Sequence, residues 1–321
     1  MPILGIIASS ISGNLTGDRG FVFGGQTAAG YTDTIQYNII TTSGNYATFG
    51  TLSRQSYIGA VAASSTRGIY AQGFAGAYPA SRAIEYITMS TLSNTTSFGS
   101  VTQTQSFSIA SSYNGTRGIF AGGYDNSVGY YGQSNYITIA TTGDTTAFGA
   151  LFRGQTMMGG GSSQTRGINY GGDNGGCSGN TNTIYYVTIA TTGAWVSFGT
   201  LSQGLNQTPA VFSSTRIVIM GGLYTACVSP YATTNMEYIT TATLSNTTNF
   251  GTLTAINTQG ACTNNAVLGN MTGGYSAPWA TIQTSIKQIT IATLGNGTTM
   301  SGVTTIGVVG ADGTSNCHGA L

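Results

Sequence analysis

The sequence predicts an all-β fold assembled from six copies of one four-stranded unit, and three observations carry that expectation. The composition suits strands and tight turns: 49 of the 321 residues are Gly, 40% are hydrophobic and 5% are charged. Stretches rich in Ala, Leu, Glu and Lys, which favour helices, are few. One phrase recurs along the chain, as "SSTRGIYAQGFAG" at 64–76, "SSYNGTRGIFAGGYDNS" at 111–127, "SSQTRGINYGGDNG" at 162–175 and "SSTRIVIMGGLYT" at 213–225.

The copies stay in phase. The glycine pair falls at Gly24-Gly25, Gln72-Gly73, Gly122-Gly123, Gly171-Gly172, Gly221-Gly222 and Gly273-Gly274. Five residues before it stand Arg19, Arg67, Arg117, Arg166 and Arg216, with Leu268 in the sixth copy. These anchors lie 48, 50, 49, 50 and 52 residues apart. A second landmark follows, as in "QYNIITT" (36–42), "NYITIATT" (135–142) and "QITIATL" (288–294). The third is Phe49-Gly50, Phe98-Gly99, Phe148-Gly149, Phe198-Gly199 and Phe250-Gly251, degraded to Ser301-Gly302. Three landmarks in register over six copies exclude coincidence.

Each copy reads as four strands. The first is rich in small residues, as in "IGAVAASS" (58–65). The second runs from Arg into the glycine pair, where Gly permits a tight turn with positive φ. The third alternates: Ile137 and Ile139 share one face, Tyr136 and Thr138 the other. The fourth surrounds Phe-Gly. Strands this short need neighbouring sheets to bury their faces.

These copies resemble kelch-type repeats over roughly residues 19–321. The glycine pair matches the kelch double glycine. Tyr37, Tyr86, Tyr136, Tyr186 and Tyr238 resemble its third-strand aromatic, and the Phe series stands where kelch repeats carry Trp. The resemblance implies a six-bladed, kelch-like β-propeller of four-stranded blades, with its innermost strands around a central channel. A ring of this kind needs a closing strand. Both "ILGIIASS" (3–10) and "IGVVGADG" (306–313) resemble the first-strand phrase, and the second follows the sixth copy in phase. It is therefore the expected closure. Residues 1–18 then form a separate attachment segment, and residues 1–12 pair with another subunit.

Charge and cysteine usage narrow the chemistry. Net charge is +1, with 9 Lys+Arg and 8 Asp+Glu and no basic run, so nucleic acid is not an expected partner. The apolar run "ILGIIA" (3–8) is too short to span a bilayer and lacks the basic leader of a signal peptide. Cys177, Cys227, Cys262 and Cys317 form no CxxC pair and His318 is the single histidine, so neither metal nor cofactor is expected. Cys177 and Cys227 occupy equivalent positions in successive copies, open to a disulfide or to two free thiols.

Few residues invite a chemical reading. The five arginines form either an anion-binding ring or a set of inter-blade braces, and repetition at one blade position favours the braces. Glu85, Glu237, Asp33, Asp125 and Asp173 single out no carboxylate pair and read as solvated loop acids. Cys317 and His318 sit at an end expected to fray. Trp279, in a loop that breaks the repeat, and its neighbour Tyr275 are the contact candidates.

The phrasing "TRGIF.GG…YITIATTG…FG" resembles repeats in tail and surface proteins of phages, especially of aquatic bacteria. The opening "MPILGIIASSISGN" resembles the start of many phage structural proteins. These resemblances imply a non-enzymatic, homo-oligomeric virion component, such as a tail or capsid fibre protein, whose loops meet host glycan, host protein or solvent. The alternatives are a non-viral extracellular propeller forming filaments or a surface layer, and a glycan-active enzyme. Scarcity of histidine and acids weighs against the enzyme.

Overall fold

The computed structural model describes residues 18–42, 44–74, 81–102, 110–125, 128–175, 179–224, 231–276 and 281–318. They form six blades of four antiparallel strands in a β-propeller, with no helix among the described residues. Blade 2 comprises Ala60–Ala63, Arg67–Ala71, Ala83–Thr88 and Thr96–Ser100. Blade 3 comprises Ala110–Tyr113, Arg117–Ala121, Gln133–Thr138 and Thr146–Ala150. Blade 4 comprises Gly159–Ser162, Arg166–Tyr170, Thr183–Thr188 and Val196–Thr200. Blade 5 comprises Ala210–Phe212, Arg216–Leu223, Ala232–Thr240 and Thr248–Thr252. Blade 6 comprises Ala261–Asn264, Leu268–Thr272, Ser285–Thr290 and Thr298–Val303.

Blade 1 is built from both parts of the chain. Arg19–Phe23, Thr34–Ile39 and Ala47–Thr51 are its outer three strands, and Asp312–Ser315 is the innermost. Gly20 pairs with Ser315 and Phe23 with Asp312. The C-terminal segment therefore closes the ring, but the closing strand begins at the end of the expected phrase. Val309 makes only an isolated bridge to Gln26. The segment 3–10 and residues 1–12 lie outside the described residues.

The inner strands pack side by side around the axis, and small residues let them approach. A Cβ on Gly160 would stand 2.4 Å from the Ser111 carbonyl oxygen, and one on Gly313 2.1 Å from that of Cys262. The core lies between the sheets. Ile69, Ile87, Ile119, Ile139, Ile168 and Ile239 are fully buried with the Phe of the fourth strands. Burying a side chain of this size stabilises by about 1.5–3 kcal/mol. The glycine after each Phe has a steric cause. A Cβ on Gly99 would meet the Gly143 carbonyl of the next blade at 2.1 Å, and one on Gly149 the Gly193 carbonyl at 1.9 Å.

Every third strand carries a register shift against the fourth, at Gln36, Glu85, Asn135, Tyr185, Glu237 and Lys287. A bulge re-aims the side chain at its site. Here Glu85 reaches into the preceding blade: Ser53 N–H and Ser53 Oγ donate to its carboxylate, as does Thr95 Oγ1 from its own blade. Glu237 repeats the arrangement with Ser202 and Thr247. The expectation of solvated loop acids is thus corrected for both residues, which are 4% and 8% exposed. Asp125 is buried as well, in a short loop strand.

Candidate functional site

The two faces of the ring differ in chemistry. One carries the turns between first and second strands and between third and fourth strands. On it, Arg19, Arg67, Arg117, Arg166 and Arg216 open the second strands. Their guanidinium carbons lie 5.6, 4.6, 4.2, 4.9 and 4.3 Å from the ring centroids of Tyr37, Tyr86, Tyr136, Tyr186 and Tyr238. Each Nη1 also donates to the next blade. Arg117 reaches the Ile189 and Ala190 carbonyls at 2.8 and 2.9 Å, and Arg216 those of Ile291 and Ala292 at 3.0 and 2.7 Å. Arg67 and Arg166 bond the matching carbonyl pairs, and Arg19 bonds Met89 O. These side chains join blades. At the sixth junction, where Leu268 replaces Arg, Gln288 stands in the Tyr position and its Nε2 donates to Ile40 O.

On this face the axis is stoppered. His318 is 2% exposed and sits 4.7 Å from the Tyr113 ring and 5.9 Å from the Phe212 ring. Its Nε2 lies 3.1 Å from the Ala63 carbonyl, which fixes the proton on Nε2. Tyr113 OH is 2.9 Å from Thr314 Oγ1. Residues from blades 1, 2, 3 and 5 thus meet at one imidazole. The expected fraying is corrected: apolar packing holds the terminus through residue 318. Burial pulls the His318 pKa down to about 4, partly offset by its bond to Ala63. Cys262 and Cys317 are free thiols, and Cys177 and Cys227 lie outside the described residues.

The opposite face carries the loops after the glycine pairs and the connections between blades. The first position of each pair is left-handed, with φ of 75° at Gly122, 74° at Gly221 and 63° at the non-glycine Gln72. The second turns the backbone so that its N–H meets the neighbouring connection, as from Gly123 to Gln155 O at 2.8 Å. At Gly222 a Cβ would lie 2.3 Å from Thr208 Cγ2. The pair therefore links blades too.

Inside this ring of loops lies the axial mouth. Just before the inner strands, Ile58, Met157, Gln207, Gln259 and Gly310 occupy equivalent places, all with φ between 51° and 58°. They line a cavity of about 110 Å³ with Met158, Thr208, Pro209 and Asp312. Asp312 Oδ2 accepts from Gly59 N–H at 2.8 Å. Burial pushes the Asp312 pKa up to about 7, against that hydrogen bond. Asp312 stands where other copies have Ala60, Gly159, Pro209 and Ala261.

Aromatics border the mouth. Tyr31 packs 5.6 Å from Tyr57 and 6.0 Å from Phe74. Tyr57 OH donates to Gln259 Oε1 at 3.1 Å. Tyr275 belongs to this group: burial raises its pKa, and Tyr31 beside it adds to the shift. It and its neighbours stay half-buried. Trp279 lies outside the described residues. The structure thus joins Tyr275 to Tyr31, Tyr57 and Phe74, which the sequence did not single out, and adds Asp312, Gln207 and Gln259. The available signal for Asp312 was one carboxylate in a column of small residues.

No protein-family model matches the chain, and no curated protein matches it significantly.

Proposed function

We propose that the chain is a structural and adhesive component of a virion, such as a phage tail or capsid fibre protein. Its propeller serves as a scaffold and its loop face meets host or solvent. The observation that supports this reading is the inequality of the two faces. On one, five blades repeat the same Arg–Tyr contact and the same bonds to the next blade. On the other, loops such as "GYDNSVGYYGQS" and "GDNGGCSGNTNT" diverge in sequence, and the half-buried Tyr31, Tyr57 and Phe74 pack together on the same face. A repeated face builds; a divergent loop face on a rigid scaffold is where binding residues concentrate. Polar and aromatic loops with few charges suit a host glycan or a weakly charged protein surface. Residues 1–12 attach the chain to neighbouring subunits in this proposal.

Mass spectrometry and immunogold labelling of purified particles test the assignment. The chain is expected in stoichiometric amount on the particle, labelled by antibodies to the loop face. Its absence from particles of a phage that encodes it overturns the proposal.

A further inference from the structure

We infer that Lys287 and Thr254 form a binding site for a carboxylate at the junction of blades 5 and 6. This goes beyond the structural role and does not depend on it. Two other junctions show the arrangement with its carboxylate built in. Ser53 and Ser202 each follow a leucine of the blade connection, and each donates its N–H and its hydroxyl to the bulge glutamate of the next blade, Glu85 or Glu237. Thr254 holds the same place: Leu52, Leu201 and Leu253 precede the three residues, and their N–H groups bond the carbonyls of Asp33, Asn182 and Thr234. The bulge residue of the next blade is here Lys287. The donors are kept, and the carboxylate is replaced by a further donor.

These groups converge. Lys287 is paired with Thr299 across the strand register, which sets their Cβ atoms about 5 Å apart on one face. Thr299 Oγ1 lies 3.0 Å from Thr254 Oγ1. Among the described residues the Thr254 N–H bonds no acceptor. The Lys287 ammonium has three donors, and one of them goes to Ser285 Oγ at 3.1 Å. Lys287 is 3% exposed. All eight Asp and Glu lie among the described residues, where the ion pair is Arg54 with Glu85. A buried ammonium without a countercharge is costly, and burial lowers the Lys287 pKa. There is also room. Gly297 stands where Thr95 and Thr247 add a hydroxyl to the sister sites. A Cβ on Gly297 would meet nothing nearer than Leu253 Cδ2 at 3.3 Å, so no other group fills the place of that side chain. Thr254 and Thr299 are exposed, and a ligand reaches the lysine past them. The sister sites indicate which anion these donors fit, a planar carboxylate that takes an N–H and a hydroxyl from one residue.

The same chemistry is offered by a free small acid and by an Asp or Glu side chain of a partner. Lys287 is the single lysine of the chain, so carbon-13 labelling of lysine Cε gives one side-chain signal from the full chain. Acetate and the peptide acetyl-Gly-Glu-Gly-amide serve as probes near pH 6.5, where both are ionised, with chloride holding the ionic strength constant. At least one probe is expected to shift this signal saturably and to raise Tm by about 2 °C at tenfold excess over Kd. Acetamide, the neutral isostere of acetate, is expected to do neither. Tighter binding of the peptide identifies a protein side chain as the occupant, and tighter binding of acetate a free acid. Lys287→Glu rebuilds the sister arrangement on Thr254 and is expected to abolish the Tm response. Lys287→Met keeps the length without the charge, is expected to abolish it too, and stands in if Lys287→Glu does not fold. Thr254→Val, at an exposed position, is expected to weaken binding roughly tenfold. The inference is overturned by no response to either probe, by an equal response to acetamide, or by a Tm response that survives Lys287→Met or Lys287→Glu. Unchanged affinity in Thr254→Val overturns it as well.

Discussion

Gln288 Nε2 donates to the carbonyl of Ile40 at 3.3 Å, across the junction between the last blade and the first. At the other five junctions an arginine lying over a tyrosine bonds the corresponding carbonyl. The sixth junction thus keeps the acceptor and changes the donor. Gln288 Nε2 also donates to the buried Asn270 Oδ1 at 2.9 Å, so Gln288→Ala removes two hydrogen bonds and is expected to cost about 2–3 kcal/mol. Leu268→Arg with Gln288→Tyr restores the arginine–tyrosine pair but leaves the buried Asn270 Oδ1 without its donor, and is expected to stay within about 1 kcal/mol of wild type. Urea denaturation of the single and double variants measures both. A double variant no better than its worse single variant contradicts this account of the junction.

Arg117→Ala removes two bonds to blade 4 and the contact with Tyr136. The expected loss is about 2–3 kcal/mol. Arg117→Lys is expected to recover less than half, because an ammonium lacks the planar fork that stacks on the ring while it donates. Denaturation midpoints check this, and a lysine variant as stable as wild type refutes it.

Gly122 has φ of 75°, and a Cβ there would lie 2.6 Å from Gln155 O and 2.3 Å from Met158 Cε. Gly122→Ala is expected to destabilise by roughly 2 kcal/mol or more, from both strain and clash. Calorimetry reads the loss directly.

The closing segment holds two titrating groups with opposite slopes. His318 has a folded pKa of about 4 against an ordinary 6.5, so its contribution is full above pH 6.5 and is lost as pH falls toward 4. Asp312 has a folded pKa of about 7 against an ordinary 3.8, so its contribution is full at low pH and is lost as pH rises toward 7. Between pH 4 and 6.5 the two slopes cancel. Asp312→Asn unmasks the histidine, and stability is then expected to rise with pH through this window, by up to about 1.4 kcal/mol per unit. His318→Gln unmasks the carboxylate and reverses the sign. Denaturation of both variants at several pH values measures the slopes; equal slopes contradict the assignment.

The fold was legible because the physics repeats. A glycine pair and Phe-Gly each recur in five of the six copies and an alternating strand in all six, so weak signals add to one strong one. The arginines were legible as braces for the same reason. What occurs once was not. His318 looked like a frayed end, because nothing near it in sequence announces the Tyr113–Phe212 pair that covers it. Glu85 looked solvated, because its burial depends on a bulge that pattern reading does not show. The axial mouth was hidden since four of its five left-handed positions are Ile58, Met157, Gln207 and Gln259, where positive φ is not expected without glycine.

The central claim is that these contacts make the six blades one cooperative ring, closed by Asp312–Ser315. Native-state hydrogen exchange, on the full chain and on a chain ending at residue 311, tests it most directly. In the full chain the slowest amides of all six blades are expected to share one opening free energy. In the shortened chain that energy is expected to fall for every blade, and protection of Arg19–Phe23 to be lost first. A full chain whose blades open independently, or a shortened chain in which only blade 1 loses protection, would contradict the claim.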